Sequence, residues 1–220
     1  MKKFFAILFL TCISFPIVNA QSHWSFEVHS GQVFNLPMPL TIRQDGYPDI
    51  KFWAQYSSES FILPVYWDIR LGRWQNKRAW EFEVIHHKLY LINTTPEVQK
   101  FNVSHGFNII MVNRGFEKKS IRYRTGAGIV LAHPESKIRG KEYGTSVVDL
   151  DMGYYISGPV INFAISRPFY IGSHFYVNAE AKTTLAYSNI KVVQGNSDVY
   201  NIAFHLILGL GADFLKSGNE

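Results

Sequence analysis

The feature that most constrains this chain is a two-residue alternation of apolar and polar side chains that recurs along its length. Trp24, Phe26 and Val28 alternate with Ser25, Glu27 and His29, and Val65, Trp67, Ile69 and Leu71 alternate with Tyr66, Asp68, Arg70 and Gly72. The period returns in Trp80, Phe82 and Val84, in Phe101 and Val103, and in Ile121, Tyr123, Thr125, Ala127 and Ile129. Three more runs complete the series: Ile161, Phe163 and Ile165; Phe175, Val177, Ala179 and Ala181; and Ile202, Phe204, Leu206, Leu208 and Leu210. Successive side chains of a strand point to opposite faces, so each run reads as a half-polar strand. With their flanks, these eight strands reach the roughly ten residues that a tilted strand needs to cross a bilayer.

The connections alternate in length. Residues 75–78, 113–119 and 168–173 are short, 35–60 and 132–157 are long, and 93–97 and 188–197 lie between. With the amino terminus on the periplasmic side, every short turn falls in the periplasm and every other loop faces outward, the asymmetry of an outer-membrane barrel. Trp24, Trp74, Trp80, Phe175 and Phe214 then mark periplasmic strand ends, while Tyr90, Phe101, Tyr187 and Tyr200 mark the opposite ends, giving two aromatic girdles. A soluble barrel of lipocalin type shares the alternation but turns its apolar face inward. The membrane reading is preferred because the apolar face is nearly free of charge, and the polar face carries Asn, Ser, Gly and opposite charges able to pair inside. The expected fold is all-β, an eight-stranded antiparallel up-and-down transmembrane β-barrel.

Residues 1–20 open on Lys2-Lys3, run apolar from Phe4 to Val18 and close on Val18-Asn19-Ala20, the pattern of an export signal, which leaves residues 21–220 as the barrel domain. Thr11-Cys12 is followed by more apolar residues, Ile13 to Val18, which argues against a lipoprotein signal. Cys12 is the only cysteine, so the exported chain would have no disulfide, no thiolate nucleophile and no Cys-ligated metal. Lys and Arg number 22 against 17 Asp and Glu, and Lys2 and Lys3 leave with the signal, so the balance does not argue for a nucleic-acid partner. The expected location is the outer membrane of a Gram-negative bacterium. The protein is expected there as a monomer whose partner is outer-membrane lipid or lipopolysaccharide.

A barrel of eight strands is wide enough only for its own side chains. Here the inward face offers Glu27, His29, Asp68, Arg70, Glu81, Glu83, Arg122, Arg124, Glu180, Lys182 and His205, and buried charges must pair. Arg122, Arg124 and Glu180 are expected to form an internal clamp. Strict alternation from Trp80, Phe82 and Val84 would aim His86 and Lys88 at lipid, where a lysine costs ~2–4 kcal/mol. A bulge near Ile85 would turn His86, Lys88 and Tyr90 inward and His87, Leu89 and Leu91 outward. His105 faces out by parity and would need an irregularity at Gly106 to approach His86, and His133 follows the fifth strand at the outer rim. Histidines on adjacent strands can ligate a divalent metal, act as acid and base, or serve structure and headgroup contact. Gly126-Ala127-Gly128 lies inside a strand, where it makes room for lumen side chains rather than cradling phosphate.

The runs Ile85-His86-His87-Lys88-Leu89-Tyr90, His105-Gly106-Phe107-Asn108, Gly126-Ala127-Gly128 through His133-Pro134, Gly158-Pro159 and Glu180-Ala181-Lys182 resemble the lipid A oxidase-like outer-membrane barrels. The resemblance covers residues 81–182. It implies an eight-stranded barrel and an oxygen-dependent, divalent-cation-assisted oxidation of the lipid A proximal glucosamine. His86, Lys88, Tyr90, Asn108, His133, Glu180 and Lys182 match the pattern, whereas Ile85 stands where the family has Thr and His105 where it has Asp.

Three functional readings follow. The first is an integral barrel that contacts lipopolysaccharide at its outer rim. The second is a lipid A headgroup-modifying enzyme with His86, Lys88 and Glu180 as catalytic candidates. Its binding candidates are Tyr90, His105, Asn108, Arg122, Arg124, His133 and Lys182, with any divalent cation held by His86 and His105. The third is a soluble periplasmic lipocalin-like carrier.

Overall fold

A computed structural model describes residues 22–104, 106–144 and 153–217; the expected export signal and His105 lie outside the described residues. The chain rises through β1 (Ser22–Asn35) and leaves the wall for β2 (Met38–Gln44), β3 (Ile50–Ala54) and β4 (Tyr56–Ser57). It descends β5 (Trp67–Gln75), rises through β6 (Arg78–His86), and makes a second excursion through β7 (Leu89–Leu91) and β8 (Val98–Val103). It then descends β9 (Phe107–Lys118), rises through β10 (Ile121–Ala132), and leaves again for β11 (Glu135–Ile138) and β12 (Lys141–Tyr143). Three long strands finish the wall: β13 (Tyr155–Ile171), β14 (Phe175–Val192) and β15 (Gly195–Ser217).

Antiparallel pairing in the order β1, β5, β6, β9, β10, β13, β14, β15 closes when β15 meets β1, from Ser22 opposite Ser217 to Asn35 opposite Ala203. The result is an eight-stranded barrel with no free edge. At one end the wall strands join through the two-residue turns 76–77 and 119–120 and the three-residue turn 172–174. At the other, β2 and β3 continue the sheet from the upper end of β15, and β12, β11, β8, β7 and β4 form a second sheet. That sheet shares one core with the upper wall: Phe101, Val103, Leu89 and Ile138 pack with Ile109, Val160, Ile190 and Val199.

The outward face carries the apolar belt, with Phe82, Val112, Phe163, Leu206 and Leu208 half or more exposed, while Glu27, Asp68, Arg70, Glu83, Arg124, Glu180 and Lys182 face in. A lipocalin-type barrel would need the reverse, so that alternative does not fit. Three sequence expectations are corrected. Phe101 and Val103 belong to β8 of the second sheet, and the fourth wall strand is β9, where Ile109, Ile110, Met111 and Val112 are all apolar and hide the period. Residues 113–118, 168–171, 188–192 and 195–197 lie within strands rather than connections. Trp74 is not a girdle residue: it shares parity with Arg70 and Gly72, is 1% exposed, and donates its indole N–H to Ser25 Oγ at 3.1 Å inside the barrel.

Candidate functional site

Two groups of polar residues stand out, one filling the lower lumen and one at the level where β6 ends. Lower-lumen chemistry follows from register. Glu27 on β1 lies opposite Arg70 on β5, and Arg70 lies opposite Glu83 on β6, so an arginine is flanked by acids across three adjacent strands. Arg70 donates to Glu27 Oε2 at 2.6 Å and to the two Glu180 oxygens at 2.7 and 2.9 Å, and it also holds Glu83. Lys182 donates to Asp68, Glu83 and Glu180. Arg124 reaches Glu81 at 2.8 Å and Glu180 at 3.1 Å.

All eleven residues expected on the inward face are buried. The expected clamp needs one correction. Arg124 meets Glu180, but Arg122 sits two residues nearer the turn end and bonds Glu27 and Glu117 at 3.1 Å each, with Tyr170 and Tyr176 beside it. Its guanidinium covers the Trp74 ring at 4.7 Å, closing the bottom of the lumen. Arg70, the centre of the network, was legible as an inward residue but not as the hub, which only the pairing register reveals. A Cβ on Gly126 would overlap the Asn113 carboxamide, which bonds Glu83 and accepts from Asn162.

Glu27, His29 and Glu180, and Asp68, Glu83 and Glu180, are close enough to surround an ion. Their carboxylates are already held by Arg70, Arg124 and Lys182, so a divalent cation would have to displace a buried ammonium or guanidinium.

The second group differs from expectation in direction. No bulge forms near Ile85; β6 keeps its parity through Glu81, Glu83 and Ile85, and the strand stops at His86. His86 therefore points outward, stacks on Trp67 with ring centroids 5.6 Å apart, and bonds Asn108 Oδ1 through Nδ1 at 2.7 Å. The inward histidine is His87. Its Nε2 lies 3.2 Å from Asn35 Oδ1, and its ring lies 5.7 Å from His205, which is held between Tyr66 and Thr184 hydroxyls at 3.0 Å each. Burial, with His86 and Lys88 nearby, holds the His87 imidazole down at about 3. The conflict at Lys88 is resolved because the chain leaves the wall after His86, not by a shift of register.

Lys88 is buried, donates to Ile62 O at 2.8 Å and lies 5.3 Å from the Tyr90 ring centroid. Burial lowers the Lys88 ammonium against the pull of Glu59, and burial raises the Tyr90 phenol. His133 takes its backbone partner from Gly106 O at 3.1 Å and stacks edge-on with Tyr154 at 5.1 Å. The residues that match the family pattern thus fall at two levels. His86, Asn108, Lys88, Tyr90 and His133 are near the outer end, whereas Glu180 and Lys182 belong to the ion network. Trp67 opposite His86 and Arg70 opposite Glu83 set those levels three residues, about 10 Å, apart along the wall.

The chain matches no family model and no curated protein in sequence. Among solved structures it is similar to the outer membrane protein AlkL, determined by solid-state NMR in DMPC bilayers, with TM-score 0.51 and 13% identity over 100% of both chains. Other matches are OprG from Pseudomonas aeruginosa, with TM-score 0.41 and 10% identity over 89% of this chain and 95% of that one, and Ail of Yersinia pestis, with 0.39 and 10% over 90% and 100%. At these identities the likeness to AlkL is one of fold.

Proposed function

We propose that the protein is an integral, monomeric barrel of a Gram-negative outer membrane. It seals its own lumen, and its working part is the folded cap held beyond the outer leaflet. The observation that carries this reading is the pairing of a continuous apolar belt with a filled interior. The belt fits hydrocarbon. The interior has ion pairs below and an apolar core above, so little is left for passage. Contact with lipopolysaccharide at the outer rim is supported by residues 61–65, where Phe61, Ile62 and Leu63 are exposed and the chain runs directly into Trp67 and Ile69 of the belt. The test is fractionation. The protein should remain with outer membranes, require detergent, and change mobility on gels after boiling. Release as a soluble monomer by osmotic shock would overturn the reading.

A second reading, lipid A headgroup modification, is favoured by one observation: His86 and Asn108, distant in sequence, share a hydrogen bond, and the buried His86 Nε2 has no bonding partner among the described residues. Expression in a strain with simple lipid A, followed by lipid A mass analysis of wild type and His86→Ala, decides it. A mass change made by wild type and lost in the variant establishes an enzyme. No change with oxygen and divalent cations supplied removes the oxidase reading.

A further inference from the structure

The turn end of the barrel carries a feature that neither the lumen network nor the cap explains. Cross-strand register sets Trp24 of β1 opposite Arg73 of β5, Arg73 opposite Trp80 of β6, and Trp80 opposite Arg114 of β9. Neighbouring strands are about 4.8 Å apart, so indole and guanidinium alternate in one row around the outside of four adjacent strands. Arg73 lies over the Trp24 ring at 5.5 Å, and Arg114 lies over the Trp80 ring at 5.0 Å. Below the row, Asn76 and Lys77 of the turn and Arg78 at the start of β6 wall a cleft of about 650 Å³ with Arg73, Trp80 and Arg114.

Among the described residues, no carboxylate lines this cleft. Arg73 donates to Ser22 Oγ at 3.0 Å and Arg114 to Ala79 O at 3.1 Å, both neutral acceptors. Among the described residues, none of Arg73, Lys77, Arg78 and Arg114 has an ion-pair partner, although Arg43 and Arg139 at the other end are paired with Asp198 and Glu97. Four cations converging on one cleft that no described carboxylate lines suit an anion, and guanidinium groups suit the oxygens of a phosphate. What distinguishes a lipid phosphate from a free one is the wall above. One step up each strand from Arg73, Trp80 and Arg114 stand Leu71, Phe82 and Val112, all exposed and apolar. An anion seated on the row therefore has acyl-chain surface directly over it.

We propose that this cleft is a binding site for the phosphate headgroup of an anionic phospholipid in the leaflet at the turn end, the periplasmic leaflet in the orientation given above. The proposal rests on the membrane-embedded reading. Trp24 and Trp80 anchor the glycerol level, Arg73 and Arg114 grip the phosphate, and Lys77 and Arg78 supply charge from below.

The test uses the full protein in detergent with mixed phosphatidylglycerol and phosphatidylcholine, counting lipids retained in native mass spectra. Wild type should retain phosphatidylglycerol preferentially, and the Arg73→Gln/Arg114→Gln variant should lose that preference by about tenfold or more. Arg73→Lys/Arg114→Lys should keep most of it, and Arg43→Gln at the opposite end should leave it unchanged. Boiling-dependent gel mobility checks that each variant is folded. Should the glutamine pair misfold, wild type against Lys77→Gln/Arg78→Gln gives the same comparison, with a smaller loss expected. Unchanged preference in folded charge-removal variants overturns the proposal, as does wild type that retains both lipids equally. Displacement of the lipid by millimolar inorganic phosphate would make this a free-phosphate site and overturn the lipid assignment. Release of the protein without detergent would instead overturn the membrane reading beneath it.

Discussion

On β14, Glu180 and Lys182 face into the lower lumen, while Ile190 and Val192 face into the upper one; outward, Val177, Ala181 and Leu185 give way to Asn189 and Lys191. β15 repeats the change, with Phe204, Leu206 and Leu208 outward below and Asn196 and Asp198 outward above. The change falls at Tyr187 opposite Tyr200, whose rings lie 5.3 Å apart. Below that level the exterior is apolar, so the interior carries the polar groups, paired because they are dry. Above it the exterior is polar, so the same strands bury apolar side chains as a soluble sandwich does. One strand thus obeys two opposite rules. The polarity inversion along it marks the upper edge of the apolar belt.

Breaking the lower half should have the largest effect. Arg70→Met removes the cation shared by Glu27, Glu83 and Glu180 and leaves buried carboxylates undercompensated. Urea unfolding in lipid should report a loss of ~3–5 kcal/mol, and unchanged stability would show that the network is solvated. Next in size, Leu206→Arg should cost ~2–4 kcal/mol because it aims a charge at hydrocarbon. By contrast, Asn189→Arg, outward but above the tyrosines and beside Asp198, should stay within ~0.5 kcal/mol. Similar costs at both positions would erase the proposed boundary.

His87 sharpens the comparison at the level where β6 ends. Its imidazole is held at about 3 in the folded chain against 6.5 when exposed, so below 6.5 the unfolded chain binds a proton that the folded one refuses. Stability from this group is therefore complete above 6.5 and falls as pH drops towards 3, by ~1.4 kcal/mol per unit. At pH 4.5 the wild type should have lost ~2–3 kcal/mol more, relative to neutral pH, than His87→Gln. Equal acid sensitivity of the two would place His87 in contact with water.

The inversion also explains what the sequence revealed and what it hid. The lower halves were legible because apolar residues fall on one parity for the whole bilayer-height stretch, as from Phe175 to Tyr187. At Ser188 the apolar residues switch parity, to Ile190 and Val192, and a continuous strand imitates the start of a loop. In β9 the inward Ile109 and Met111 are apolar like the outward Ile110 and Val112, so the strand shows no period, whereas β8 of the second sheet does. In the candidate site, burial of the inward charges followed from parity. The partners of those charges did not, because they depend on register and on reach across the lumen, as Arg70 to Glu180 shows. His86 was misdirected because a strand ending and a bulge resolve the same lysine conflict, and nothing local in the sequence separates them.

The most direct test of the two-part filling is electrical. Purified wild type inserted into planar bilayers should give no sustained conductance steps, because ion pairs occupy the lower lumen and an apolar core the upper. Reproducible, long-lived ion-conducting openings of the folded wild-type protein would contradict that account.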